Sequence, residues 1–263
     1  MAIAHSTDIN PPREHFGVRK IGVNDLKTVL AQGWDDFLSK RGDLIFLGLF
    51  YPIVIVAAAL YALDESLFPM MFPLFSGAVL LGTPAASGFY ELARRRELGM
   101  DSRWRHFFDV LRSPALPSIM GLTTVVSMLF LLWMGVAWFI YSRTLGLDPP
   151  ASIGAFVEAL FTTSKGWTMI IVGNLAGLGF AVVTLAITVV SFPMLIDKSV
   201  DWETAVHTSI RVVSKNPVTM ALWGLIIVAL LILGALPALA GLAVVLPVLG
   251  YATWHLYTRA VVR

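Results

Sequence analysis

The stretch that decides the fold is Gly88–Pro114, whose sequence is GFYELARRRELGMDSRWRHFFDVLRSP. It lies between two long apolar runs and holds six of the nineteen Lys and Arg residues in the chain. Such a loop is typical of the cytoplasmic side of a polytopic membrane protein, because cytoplasmic loops carry an excess of Lys and Arg. The stretch therefore predicts a membrane protein and also the side of the membrane on which this loop lies.

The composition of the 263-residue chain agrees with that prediction. Hydrophobic residues make up 57% of the chain and charged residues 14%, whereas soluble chains contain about 25% charged residues. The net charge of +2 gives no strong basic field, so nucleic acid is not expected as a partner. The sequence has no cysteine, which excludes disulfides, iron–sulfur clusters and thiolate-bound haem.

Five charge-free runs are long enough to cross the hydrocarbon core, which takes about 20 residues of helix. They are Leu44–Leu63, Leu67–Tyr90, Ser118–Tyr141, Gly166–Ile196 and Asn216–Trp254. The last run is broken between Gly234 and Pro237, so it predicts a hairpin of two spans. The chain is thus predicted to be an all-α membrane protein with six transmembrane helices, the second of them kinked at Pro84.

The distribution of Lys and Arg predicts the orientation. With six spans, both termini lie on one side of the membrane, and that side holds seventeen of the nineteen Lys and Arg residues. The other side holds only Arg143 and Lys165. The positive-inside rule therefore predicts that the N-terminus and the C-terminus are both cytoplasmic.

Each predicted outward-going span follows a segment with an apolar stripe at helical spacing, an Asp near its start and a Trp. The three stripes are Leu26, Val29, Leu30, Trp34, Phe37 and Leu38; Trp104, Phe107, Phe108 and Leu111; and Trp202, Ala205, Val206, Ile210 and Val213. Helices with this pattern lie in the headgroup layer, with aromatic rings near the acyl chains and cations near the lipid phosphates. The sequence therefore predicts three cytoplasmic interfacial amphipathic helices.

The likeness of these segments suggests a threefold internal repeat within one membrane domain over residues 24–263. Each unit, at about 24–97, 101–197 and 201–258, contains an interfacial helix, a span out and a span back. Units in the same orientation imply an axis along the membrane normal. The alternative is that any amphipathic helix before a span carries this pattern. Residues 1–23 are predicted to be a flexible cytoplasmic tail.

The cations of the opening stretch are candidate contacts for anionic lipids of the cytoplasmic leaflet or for a protein partner. The candidate residues are Arg94, Arg95, Arg96, Arg103, Trp104 and Arg105. A cation near an anionic surface contributes about 1 kcal/mol to binding. The pattern of Arg94–Arg96 favours the simpler interpretation of a topology anchor. Glu91 is expected to pair with Arg94 or Arg95, which follow it by three and four residues on the helix.

Polar residues within the fourth span are candidates for an intramembrane site. They are Asn174, Thr184 and Thr188. Asn174 lies between Gly173 and Gly177, whose spacing allows close helix approach. We expect it to hydrogen-bond a neighbouring helix, and the alternative is that it lines a substrate path. The threonines form a polar stripe or satisfy their own backbone.

No catalytic, cofactor or metal site is predicted. The sequence contains no HExxH, GxSxG or glycine-rich phosphate loop. His106, His207 and His255 fall on the predicted cytoplasmic side, where three imidazoles could bind a metal, but no local ligand spacing supports such a site. We therefore expect a protein that is not an enzyme.

Three stretches of the sequence carry a resemblance to a known family. They are GTPAASGFYELARRRELG (82–99), SFPMLIDKSVDWETAVHTSIRVVSKNPVTMALWGLII (191–227) and GLAVVLPVLGYATWHLYTR (241–259). Over about residues 40–260 the chain resembles a bacterial family of integral membrane proteins catalogued as a domain of unknown function. The resemblance implies a multi-pass protein of the bacterial inner membrane with about six spans.

Some members of that family are labelled as a cytochrome c oxidase subunit. The catalytic subunit of an oxidase needs several intramembrane histidines for its haems and copper, and no histidine of this chain lies in mid-span. At most, therefore, the resemblance implies an accessory subunit.

The first functional hypothesis is a non-enzymatic inner-membrane protein with a role in interaction or assembly or as an accessory subunit, with a respiratory complex as one such setting. Its partners are then anionic membrane lipids and a protein of a membrane complex. The alternative is a transporter or channel for a small uncharged or amphipathic solute. The repeat, the Pro and Gly breaks in the spans, and Asn174 with the threonines support that alternative.

Overall fold

A computed structural model describes residues 16–39, 68–146, 151–198, 200–237 and 239–263. The predicted first span, Leu44–Leu63, lies outside the described residues. The described residues are mainly helical, and their one β-bridge is an antiparallel pairing of Val18 with Val261. The prediction of an all-α membrane protein is therefore confirmed at the level of fold class.

The helices are α1 (Val23–Ser39), α2 (Met71–Ala85), α3 (Ser87–Glu97), α4 (Leu116–Thr144), α5 (Ile153–Thr162), α6 (Ser164–Thr188), α7 (Ser191–Asp197), α8 (Trp202–Lys215), α9 (Pro217–Ala235) and α10 (Leu242–Ala260). A short 3-10 turn, Phe68–Met70, precedes α2. A longer 3-10 helix, Trp104–Arg112, lies between α3 and α4, and we call it the 3-10 segment.

Four helical stretches among the described residues are long and apolar enough to cross a membrane. They are Phe68–Glu97, Leu116–Thr144, Ser164–Asp197 and Pro217–Ala235, and they match predicted spans two to five. Helix α10 covers most of the predicted sixth span and has 19 residues, but its second half carries His255 and Arg259, which lower its hydropathy. The described residues therefore support four of the six predicted spans.

Prolines interrupt two of these stretches near the same end of the bundle. Pro84 has no N–H for the carbonyl of Leu80, and the hydroxyl of Thr83 donates to that carbonyl instead at 3.0 Å. Helix α2 ends one residue later, at the point where the sequence predicts a kink. Pro193 likewise cannot donate to the carbonyl of Val189, and α6 gives way to α7 at this point.

The centre of the fold lies where α3, α7 and α10 contact one another. Phe89 of α3, Phe192 of α7 and Trp254 of α10 are fully buried there. Helix α10 comes close to α3 because Gly250 has no side chain, and a Cβ at this position would lie 2.7 Å from the Cβ of Phe89. Since burial of each large side chain stabilises by about 2 kcal/mol, these three helix ends form the principal core.

The amphipathic segments pack on this core rather than lying only against lipid. Helix α1 packs along α10, the 3-10 segment packs on α3, and α8 packs on α6 and α7. In α1 the predicted stripe is divided, because Leu26, Val29 and Phe37 are buried while Trp34 and Leu38 are exposed. The predicted lipid-facing stripe of α1 is therefore corrected to a largely buried one.

The second amphipathic segment also differs from its prediction in helix type. Trp104–Arg112 is a 3-10 helix, in which residues three apart eclipse one another. Phe107 and Val110 form the row that faces α3, while Phe108 and Leu111 form an exposed row. Tight 3-10 winding thus separates the stripe predicted for an α-helix into an inner and an outer row.

Part of the predicted loose tail is held in place. Residues 16–22 precede α1, and the N–H of Arg19 donates to Ala260 O while the N–H of Val262 donates to Gly17 O, both at 2.8 Å. Asn216 accepts from the N–H of Ile21 at 2.8 Å and donates to Arg19 O at 3.1 Å. These contacts use the backbone of residues 16–22, so their side-chain pattern gave no signal. Residues 1–15 lie outside the described residues.

Candidate functional site

Ion pairs gather at one end of the bundle, which we call the charged face. It contains the end of α3, the 3-10 segment, the end of α7, the end of α10 and Asp36 of α1. Five elements of the chain therefore supply its charges, and all of them except α1 end or connect apolar helices. The candidate residues of the opening stretch all lie here.

Arg94 and Arg95 both bind Glu91. Arg94 Nε lies 2.9 Å from Glu91 Oε2, and Arg95 Nε lies 2.8 Å from Glu91 Oε1. The predicted pairing at three and four residues along the helix is thereby confirmed. Glu91 itself is buried, and a buried carboxylate of this kind requires such compensation of its charge.

Arg95 and Arg96 also tie α3 to its neighbours. Arg95 Nη2 lies 2.8 Å from Asp109 Oδ2 of the 3-10 segment. Arg96 Nε lies 3.0 Å from Asp36 Oδ1 of α1, and Arg96 also contacts Ser39. All three guanidinium groups of the Arg94–Arg96 run are therefore engaged with carboxylates of the same chain.

Arg103, Trp104 and Arg105 are more exposed than that run. Arg103 Nη2 lies 2.9 Å and Arg105 Nη2 3.0 Å from the same oxygen of Asp101. The hydrogen bond from Arg103 holds the pKa of Asp101 well below its usual range. The ring of Trp104 is 45% exposed. The structure thus divides the six candidate contacts into an internally tied group and an outward group.

His106 lies between two carboxylates of the same connection. Its Nδ1 is 2.7 Å from Asp109 Oδ2, and its Nε2 is 3.2 Å from Asp101 Oδ2. The hydrogen bond with His106 lowers the pKa of Asp109 below its ordinary value of 3.8. Both carboxylates therefore remain charged near neutral pH, and the carboxylate of Asp109 holds the connection against Arg95.

The ends of α3, α7 and α10 share a second network. Glu97 pairs with Arg263 and accepts from Trp254 Nε1 at 3.0 Å. The hydroxyl of Tyr257 donates to Asp197 Oδ2 at 2.8 Å, and Arg263 Nη1 lies 3.7 Å from Asp197 Oδ1. Sequence reasoning missed these residues because their partners are distant in the chain, and the one available signal was a charge at the end of each apolar run.

Asp36 and His255 complete the charged face. His255 Nε2 lies 2.8 Å from Asp36 Oδ2, and Arg96 binds the other oxygen of the same carboxylate. The tie therefore joins α1, α3 and α10 at one buried aspartate. His106 and His255 thus contact different carboxylates and take part in separate networks.

The intramembrane candidates do not converge. Asn174 is exposed on the surface of α6, and its Nδ2 donates to Ile170 O of the same helix at 2.7 Å. Thr184 and Thr188 are buried, and the hydroxyl of Thr188 donates to Thr184 O at 2.7 Å. The expected hydrogen bond from Asn174 to a neighbouring helix is therefore replaced by one within α6.

The glycines around Asn174 also have different surroundings. A Cβ at Gly177 would lie 3.3 Å from the ring of Trp133 in α4, whereas a Cβ at Gly173 would meet open space. One glycine of the predicted GxxxG motif therefore contacts another helix of the described part, and the other lies beside Asn174 on the outer surface.

Residues 70–197 match the model of a family described as a predicted integral membrane protein (DUF2189). This match confirms the resemblance to an uncharacterised family of integral membrane proteins over this part of the chain. The protein is an integral membrane protein with several apolar helices. No curated protein and no solved structure matches the chain.

Proposed function

We propose that this protein is a non-enzymatic interaction protein of the bacterial inner membrane, with an accessory or assembly role beside a partner protein. One contrast carries the proposal. The polar groups at the centre of the charged face bind one another, whereas large apolar side chains stay exposed along the candidate spans. Leu131 of α4 is 66% exposed, and Leu178 of α6 is 60% exposed. Exposed apolar side chains of this kind are available to a partner helix within the membrane.

The position of Asn174 favours contact over transport. A solute path needs polar groups aimed into the bundle at mid-span. Asn174 was the candidate for that role, and it lies on the outside of α6 with its amide bonded to Ile170. The transporter alternative therefore loses the residue on which it most depended.

We infer further that the charged face is cytoplasmic. The ends of α3, α7 and α10 and the 3-10 segment bring most of the described arginines to this face. Arg143 and Lys165 lie in the last turn of α4 and the first turn of α6, away from those ends. The positive-inside rule assigns the richer side to the cytoplasm. A reporter fused after Arg263 that proved periplasmic would overturn this orientation.

The packing order also supports the threefold repeat. The 3-10 segment of the second unit packs on α3 of the first, and α8 of the third unit packs on α7 of the second. The first unit's α1 packs on α10 of the third, which closes the order into a ring. An axis along the membrane normal accounts for this cyclic arrangement. The 3-10 winding of the second unit's segment is the main departure from it.

Photocrosslinking in native membranes tests the interaction role. A benzophenone amino acid is placed at Leu131 or at Leu178, and a matched control carries it at the fully buried Phe192. We expect one discrete protein adduct from at least one exposed position and none from Phe192. Adducts with lipid alone at both exposed positions would overturn the proposal.

The respiratory setting needs a separate measurement. We expect a pull-down in mild detergent to recover subunits of a cytochrome oxidase complex together with the crosslinked partner. Recovery of a discrete partner without any oxidase or cytochrome subunit would reject that setting and leave the interaction role standing.

A further inference from the structure

The connection between α3 and α4 carries an exposed apolar strip. Its members are Leu98, Met100, Trp104, Phe108 and Leu111, all of which are exposed. We propose that this strip, with Arg105 and Arg112, binds anionic phospholipid headgroups of the leaflet at the charged face. The lipid site is separate from the protein contact proposed above, and it is assigned to this strip rather than to the Arg94–Arg96 run.

The position of the strip in the chain fixes its depth. One candidate span ends at Glu97 and the next begins at Leu116. The connection therefore lies at the membrane surface on the side where both of these candidate spans end. An apolar side chain exposed at that level contacts lipid, and Trp prefers the layer because its ring is apolar while its N–H needs a polar partner.

The inner row fixes the strip on the protein. Phe107 packs edge-on against Phe89 with ring centroids 5.0 Å apart, and its ring lies where Gly88 leaves room. Arg95 and Asp109 add an ion pair at 2.8 Å between α3 and the segment. These contacts hold one side of the 3-10 segment and leave Phe108 and Leu111 pointing away from α3.

The charge balance of the strip favours an anionic ligand. Asp109 is matched by Arg95 of α3, and Arg103 and Arg105 share one oxygen of Asp101. The connection carries three arginines, Arg103, Arg105 and Arg112, and two aspartates, so its arginines outnumber its carboxylates even before Arg95 is counted. Anionic phospholipid supplies both the opposite charge and an apolar layer for the exposed rings.

The opposite face offers a built-in contrast. Phe161 and Trp167 at the junction of α5 and α6 are 57% and 50% exposed, so apolar exposure there is similar. The junction itself carries Lys165, which is set against Glu158 of α5, and Arg143 of α4 stacks on Phe139 at 5.2 Å. Exposed aromatics occur on both faces, but an excess of cations beside them occurs on the strip.

The test uses the full chain in lipid nanodiscs with and without phosphatidylglycerol. The sequence contains no cysteine, so Phe108→Cys gives a single site for an environment-sensitive fluorophore, and Leu178→Cys gives a control site in mid-span. We expect headgroup-region quenchers attached to lipid to quench the label at position 108, and deep quenchers to quench the label at position 178. Quenching at position 108 by aqueous iodide alone, or by neither reagent, would overturn the proposal.

Lipid retention tests the arginines independently of the label. Native mass spectrometry of protein released from mixed nanodiscs counts the phosphatidylglycerol molecules that stay bound. Arg105→Gln with Arg112→Gln is expected to weaken retention by about fivefold for each cation removed. The matched double variant, Arg143→Gln with Lys165→Gln, is expected to retain lipid like the parent protein. Equal losses in both double variants would overturn the assignment to the strip. A protein adduct at Leu131 or Leu178 is read out separately, so either proposal can fail alone.

Discussion

Helix α1 and the 3-10 segment carry the same amphipathic sequence pattern but occupy different environments in the structure. Helix α1 has 17 residues and places Gly33 against the backbone of α10, where a Cβ would lie 2.7 Å from Ala252 N and from Val248 O. The 3-10 segment has nine residues and places the ring of Phe107 over Gly88. A backbone contact is rigid, whereas a ring can rotate. The same apolar stripe therefore builds a core in one segment and keeps an outer, exposed row in the other.

The largest effect is expected from the buried tie of α1. Asp36→Ala removes the shared partner of Arg96 and His255, and breaking a buried ion pair costs roughly 3 kcal/mol of stability because the remaining charge lacks compensation. Thermal unfolding in detergent measures this loss. The matched control is Asp109→Ala at the 3-10 segment, whose carboxylate is about one-third exposed. An equal loss in both variants would remove the distinction between a core tie and a surface tie.

A smaller effect is expected from the close approach of α1 to α10. Gly33→Ala forces a methyl group against backbone atoms that cannot yield, and overpacking of this kind costs about 2 kcal/mol. The same change at Gly135 of α4, where a Cβ meets open space, is expected to stabilise by up to about 1 kcal/mol through helix propensity. If Gly33→Ala unfolds at or above the temperature of the parent protein, α1 does not pack on α10 as described.

Gly88→Ala measures the softer contact. A Cβ at this position would lie 2.4 Å from the ring of Phe107, and the ring is expected to rotate outward. The cost of displacing it is then offset by helix propensity, so the net change is under about 1 kcal/mol. Hydrogen exchange of residues 104–112 is expected to speed up. Unchanged exchange together with a large loss of stability would contradict the view of a rotatable contact.

The smallest effect is the response of the 3-10 segment to acid. The pKa values of Asp101 and Asp109 are lowered from 3.8 by hydrogen bonds with Arg103 and His106, respectively. A carboxyl group with a lowered pKa stabilises the folded state above pH 3.8, and this contribution is lost as the pH falls through the folded-state value. The protection factors of residues 104–112, which correct for the intrinsic pH dependence of amide exchange, are therefore expected to stay constant from pH 7 to pH 5 and to fall below about pH 4.

Asp109→Asn is the control for that acid response. The amide keeps the shape of the side chain and removes its titration, so the fall in protection factors at low pH is expected to diminish. A surface pair of this kind contributes under about 1 kcal/mol, which is why the readout is local exchange and not global unfolding. A response centred above pH 5 would implicate another titrating group and contradict the prediction.

The features that could be predicted depend on residues that are close together in the sequence. Charge-free runs identified the four spans among the described residues, Pro84 identified the break between α2 and α3, and the spacing of Glu91 with Arg94 and Arg95 identified their pairing. Each depends on neighbours within a few residues, or on the cost of placing a charge in hydrocarbon. Such signals survive in the sequence because no distant partner can change them.

The features that escaped prediction depend on distant partners. Asn174 was expected to contact another helix, but which face of α6 turns outward depends on where α4 packs. Residues 16–22 were expected to be loose, but Asn216 and the C-terminus bind their backbone. Contacts to the backbone do not depend on side-chain type, so the sequence does not reveal them. When a helix is apolar on all sides, its sequence does not show which side faces the other helices.

For Gly88–Pro114, the sequence alone determined that a cationic connection lies between two apolar runs and that Glu91 compensates two of its arginines. Those facts follow from hydropathy and helical spacing, which act locally. Only the tertiary structure decided that Arg95 and Arg96 turn inward to Asp109 and Asp36 while Trp104, Phe108 and Leu111 stay outside. The reason is that an arginine beside an apolar helix binds whichever carboxylate the fold places within reach. The packing of α1 and of the 3-10 segment against α3 places Asp36 and Asp109 there.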